Sequence, residues 1–181
     1  MEAPEVPTEH LQEQIQENAA TGRGWVMRVA LTSAIAAALA AVAALKAGHT
    51  ANEAMIAQME SANQWNYFQA KSIKAAVLRG KIDVLSALNK PTGEKDSEKL
   101  KEYEADQEEI KNEAEHFAKE SRAYLRRHTT FSHAVTLFQI SIAVAAMSIM
   151  VRKRRLFGMS LIFVVAGSVF LALGLLNIGS K

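Results

Sequence analysis

The chain divides where its charges stop. Residues 29–45, VALTSAIAAALAAVAAL, are uncharged and lie between Arg28 and Lys46. Residues 134–151 make a second uncharged run, and residues 156–178 a third. At helical rise the three runs extend roughly 26 to 35 Å, against a bilayer hydrocarbon core of about 30 Å. The pattern predicts transmembrane helices over 25–46, 134–151 and 156–178. The first run is so rich in Ala that its composition also suits a buried helix of a soluble protein, and its flanks favour the membrane. Trp25, Arg28 and Lys46 are of the types that anchor or snorkel at a membrane interface. A signal peptide is the other reading of that run. The five glutamates ahead of it (Glu2, Glu5, Glu9, Glu13 and Glu17) give the wrong charge for the n-region of such a peptide.

Residues 47–133 are polar, with acidic and basic residues in nearly equal numbers. The strong breaker here is Lys90-Pro91-Thr92-Gly93, where proline presets a turn and glycine permits a reversal. Arms of similar length on either side of it read as an antiparallel helical hairpin with its tip at 90–93. In the second arm Leu100, Tyr103, Gln107, Ile110, Ala114, Phe117, Ser121, Tyr124, His128 and Phe131 alternate spacings of three and four, as a coiled-coil seam does. That phase continues through Val135, Phe138, Ile142, Ala145 and Ile149, so one helix is expected from the tip into the second span. In the first arm Met55, Met59 and Ala62 share one phase, and Ile73, Val77, Gly80, Val84 and Ala87 another. Trp65, Tyr67 and Phe68 fall at the shift, where the supercoil is expected to change locally. The fold class is therefore an all-α membrane protein, with a long antiparallel coiled-coil hairpin between its first and second transmembrane helices. A seam with this many polar positions buries little area for its length, which points to self-association.

Composition adds orientation. Arg152, Lys153, Arg154 and Arg155 alone join the second and third spans, and four cations in a short loop mark the cytoplasmic side. An odd number of crossings then puts the N-terminus on that side too, with the hairpin and the C-terminus outside, which in a bacterium means the periplasm. Lys119, Arg122, Arg126 and Arg127 at the base of the hairpin run against this, but long loops count for less in the rule. A formal net charge of +2 gives no global basic field, so nucleic acid is not an expected partner. The absence of cysteine excludes disulfides, thiolate metal sites and a cysteine nucleophile.

Candidate chemistry is sparse. Folding the arms about the turn would bring His49 and Glu53, one helical turn apart, towards His128 and His133, a set able to hold a divalent metal. Scattered interfacial histidines without a second carboxylate are more often structural, so no metal or other cofactor is expected. No phosphate loop, nucleophile elbow or metalloprotease motif is present, and no catalytic residue is assigned. The spans hold no ionisable residue of the kind that marks ion paths. Thr32, Ser33, Ser141, Ser148 and Ser168 could line a pore between subunits or, more commonly, make helix contacts, with Ala30, Ala34, Ala38, Gly167 and Gly174 allowing close approach. In the acidic tail, residues 1–24, Thr8 can cap a short helix starting at Glu9. Leu11, Ile15 and Ala19 lie on one face of that helix and Glu9, Glu13 and Glu17 on another, where they can meet the basic turn.

The strings EAPEVPTEHLQEQI (2–15), AGHTANEAM (47–55), QWNYFQAKSIKAAVL (64–78) and LRRHTTFSHAVTLFQISIAVAA (125–146) resemble a bacterial membrane family catalogued as domain of unknown function 4337. The resemblance covers nearly all of the chain. It implies an inner-membrane protein and supplies no catalytic residue or substrate. The expected function is a non-enzymatic structural or scaffolding protein of the lipid bilayer, as a homo-oligomer or as an accessory subunit of a larger membrane complex. A channel between subunits is the alternative, and a sensory or metal-dependent role at the histidines a distant one.

Overall fold

A computed structural model describes the backbone of residues 8–176 and the side chains of residues 24–176. It contains helices α1 (Thr8–Ala87), α2 (Glu94–Met150) and α3 (Arg154–Leu176). Among the described residues these three helices are each long and apolar enough to cross a membrane. The short tail helix expected from Glu9 does not end before the first span, because nothing between Thr8 and Trp25 breaks it and α1 runs through. The cap, apolar face and acidic face assigned to the tail lie outside the described side chains.

The chain forms two compact units, one of Met1–Ala47 with Thr129–Lys181 and one of Gly48–His128. In the first, Ala36, Ala40, Ala43 and Ala47 of α1 pack with Phe131, Ala134 and Phe138 of α2 and Leu171 of α3. Ala30, Ala34 and Ala38, expected at this contact, are exposed instead. An almost uniform alanine run carries no phase of its own, and the phenylalanines of α2 choose which alanines are covered.

Helix α3 meets α2 through Ser160, Gly167, Leu171 and Gly174, all buried. A β-carbon added at Gly167 would lie 3.0 Å from the Phe138 ring, and one at Gly174 2.5 Å from the Phe131 ring. The missing side chains are therefore the sockets into which the two phenylalanines fit. In a bilayer, where hydrocarbon is as apolar as phenylalanine, tight packing rather than water exclusion would hold α3 to α2. Ser141 Oγ adds a hydrogen bond to the Ser160 carbonyl at 2.9 Å. The outward faces carry Leu31, Ile35, Ile140, Ile162, Val165 and Val169, all exposed.

In the second unit α1 and α2 run antiparallel. Ser61 Oγ donates to the Ala114 carbonyl at 2.9 Å, and Ser121 Oγ donates to the Ala54 carbonyl at 2.8 Å. The pairs are seven residues apart on each helix, so each helix gives one hydroxyl and one carbonyl to a reciprocal clasp. Such bonds need the two backbones close together. The buried side chains of α1 here are accordingly small: Thr50, Ala54, Ala57, Ser61 and Ala75. The bulky first-arm phases read as seam are on the other side, with Met55, Met59, Ile73, Val77 and Val84 exposed. No phase shift interrupts the contact face within this unit: Thr50, Ala54, Ala57, Ser61, Gln64, Phe68, Lys71, Ala75 and Leu78, all buried or half-buried, follow spacings of three and four.

Both connections end a helix in the same way. Asn89 donates to the Ser86 carbonyl and Lys90 to that of Leu85, while Arg152 donates to Ile149 and Lys153 to Ser148. These are Schellman caps, with left-handed φ of 50° at Asn89 and 54° at Arg152. The reversal expected from Gly93 is thus made by Asn89, a residue that tolerates this conformation. No described glycine has a positive φ. Pro91 follows and prevents α1 from continuing.

Glycine to alanine inside a helix ordinarily stabilises by about 1 kcal/mol. At Gly174 the sign should reverse, because Phe131 is fully buried and has nowhere to move. Gly174→Ala is expected to cost about 1–3 kcal/mol and Gly167→Ala less, with Gly158→Ala, which faces open space, not destabilising. Unfolding of the three variants in mixed micelles checks the order.

Candidate functional site

Each seam residue of α2 falls on its inner side. Ile110, Ala114, Ser121 and Phe131 are buried, and Leu100, Tyr103, Gln107, Phe117, Tyr124 and His128 half-buried. The densest polar chemistry lies between the two helices of the Gly48–His128 unit. Lys71, whose side chain is only 13% exposed, is ion-paired with Asp106 of α2. Its ammonium also lies 5.1 Å from the Tyr103 ring centre and 5.6 Å from that of Tyr67, within reach of a cation–π attraction. The hydrogen bond to Asp106 raises the Lys71 pKa above the usual lysine range, burial opposes this, and the Asp106 charge and Tyr67 add to the rise. Nearer the tip Arg79 pairs with Glu104, and Lys81 with Asp96 at 2.7 Å. Sequence reasoning did not single out these pairs, since a charge on a mixed-sign face looks solvated until its partner is known. Tyr103 and the spacing of Lys71 from the turn were the available signals.

The chemistry of this cluster is that of a fastener. A lysine held between a carboxylate and two phenol rings fixes the register of the two helices.

The histidine set is not drawn together. His49 Nδ1 lies 3.8 Å from Glu53 on the same helix. The His133 ring packs edge-on against Phe170, with centres 5.6 Å apart. His128 is half-buried and makes interactions of its own. Among the described residues no group of three or more His, Cys, Asp or Glu could hold a metal ion.

Of the interface anchors, Arg28 is exposed, Lys46 half-buried and engaged, and Trp25 half-buried. The Trp25 indole N–H has no acceptor among the described residues. Arg152, Lys153, Arg154 and Arg155 are all exposed, with Arg154 and Arg155 already in the first turn of α3. The hydroxyls considered for a pore are largely spent on backbone carbonyls: Thr32 on Arg28, Ser141 on Ser160, Ser148 on Ala145 and Ser168 on Val164.

The raised Lys71 pKa gives a signed pH dependence. A raised folded-state value means that the contribution is complete below the unfolded lysine pKa, about 10.4, and is lost as pH rises through the folded value. Thermal stability followed by circular dichroism should show no Lys71-dependent change from pH 7 to about 9.5 and should fall above that. Lys71→Met should remove the part of the fall that this lysine causes.

No curated protein and no solved structure matches the chain. A family model described as Domain of unknown function (DUF4337) matches residues 25–177. With most of its length covered by that match, the chain belongs to the DUF4337 family.

Proposed function

We propose that the protein is a non-enzymatic, self-associating scaffold of a bacterial inner membrane, working as a homo-oligomer or as an accessory subunit of a larger complex. In this reading it crosses the bilayer three times. The N-terminus and the turn at Arg152, Lys153, Arg154 and Arg155 are cytoplasmic, and residues 48–128 form a two-helix coiled coil in the periplasm.

The observation that carries the reading is what the Gly48–His128 unit keeps inside. Ala54, Ala57, Ser61, Ala75, Ala114 and Ser121 fill most of its buried positions, with Ile110 the one large apolar side chain buried there among the described residues. Fully burying a large apolar residue contributes about 1.5–3 kcal/mol, whereas alanine contributes far less. A two-helix pair with so small an apolar interior gains more from packing against further chains than from its own seam. The ion pairs nearest the tip, Arg79–Glu104 and Lys81–Asp96, are largely exposed, and such pairs add only about 0–1 kcal/mol each. Orientation rests on the basic turn. At Arg152 a left-handed backbone that would suit glycine carries an arginine instead, as it would where cationic charge matters more than backbone ease.

Mass of the detergent-solubilised protein tests assembly: two or more times 19.8 kDa is expected of the homo-oligomer, foreign bands beside it would mark a larger complex, and a lone single chain would refute self-association. Topology is checked by adding one thiol to a chain that has none. Thr92→Cys should react with an impermeant maleimide on intact spheroplasts, and Arg154→Cys only after lysis. The opposite pattern would invert the proposed orientation.

A further inference from the structure

We propose that the bulky apolar face of α1 within the Gly48–His128 unit is the surface on which a second copy of this chain docks, α1 against α1. The inference rests on the self-association and transmembrane readings above, and it names the face they leave open.

The face is periodic and uncovered. Met59, Ile73 and Val77 are 61%, 65% and 69% exposed, and Met55, Val84 and Leu88 are comparable. Ala62, Gly80 and Ala87 continue the same stripe, and a β-carbon at Gly80 would meet nothing within 4 Å. Two helices can therefore approach closely there. Monomeric soluble domains rarely leave a contiguous apolar patch of more than a few hundred Å². Six such side chains, at roughly 100 Å² each, expose about 600 Å² per copy, which approaches the ~800 Å² per partner of a stable interface.

Charge and geometry favour a second copy as the occupant. Lys71, Arg79 and Lys81 are each paired with a carboxylate of α2 in the same chain. Two α1 helices can thus come side by side without these cations repelling one another. Copies inserted in one bilayer share orientation, so their α1 helices run parallel and like residues meet at one height. Ile73, Val77, Leu78 and Tyr103 line a surface groove beside the stripe, with Lys74 and Lys99 also at its wall. The partner's apolar side chains seat there.

Single-cysteine variants Met59→Cys, Ile73→Cys and Val77→Cys, oxidised in proteoliposomes with copper phenanthroline, should each give a band of twice the chain mass. Glu108→Cys, exposed on α2, should give less than one-tenth as much. Helicity by circular dichroism confirms folding, and Val84→Cys replaces any variant that loses it. Equal cross-linking from Glu108→Cys, or none from the α1 face while the solubilised mass is a multiple of one chain, would overturn this interface and leave self-association standing. A single-chain mass would overturn both. A cross-link to a foreign protein in native membranes, with no dimer band, would also overturn it.

Discussion

A serine hydroxyl of one helix reaches the backbone carbonyl of its neighbour only where the side chains between them are small. That constraint shapes α1. Ala54, Ala57 and Ser61 bring its backbone close enough to α2 for the reciprocal bonds Ser61 to Ala114 and Ser121 to Ala54. In the other unit Ala36, Ala40 and Ala43, also three and four apart, pack with Phe131 and Phe138. Close approach satisfies polar groups and gains dispersion contacts, but it leaves no room for large residues in the seam. The methionines, isoleucines and valines of α1 are consequently displaced to the opposite face.

Helix α3 meets the same constraint from the other side. Here α2 supplies the bulk, Phe131 and Phe138, and α3 supplies the absences, Gly174 and Gly167. The hydroxyl of Ser141 then bridges to the Ser160 carbonyl. Where water gives no driving force, complementary shape and satisfied hydrogen bonds are what remain to hold helices together. The two Schellman caps complete the frame, each with a left-handed residue other than glycine. Asn89 suits that conformation, whereas Arg152 adopts it at some cost in a cationic turn.

Much of this was legible in the residues. Three uncharged runs gave the apolar helices, and the spacing from Leu100 to Phe131 gave the inner side of α2, because large apolar residues mark that side. The α1 seam was not legible for the converse reason. Alanine and serine carry little hydrophobic signal, so periodicity found Met55, Met59, Ile73 and Val77, which are exposed. In the first span the alanine run held no phase at all, and the alanines buried within the chain are Ala36, Ala40, Ala43 and Ala47 rather than Ala30, Ala34 and Ala38. Pro91 located the reversal, but the left-handed residue is Asn89 rather than Gly93, since the cap forms at the helix end before the proline. The Lys71 cluster depends on a partner thirty-five residues away, which no local pattern reveals.

The central claim is that small residues bind α1 to α2 and free its bulky face for a second copy. Dipolar electron–electron resonance on a single spin label in place of Ile73, with the protein in nanodiscs, tests this directly. Parallel α1 helices packed at about 8–10 Å between axes predict a sharp inter-copy distance of roughly 10–25 Å. A label that shows no inter-copy coupling, in particles holding two or more chains, would contradict the claim.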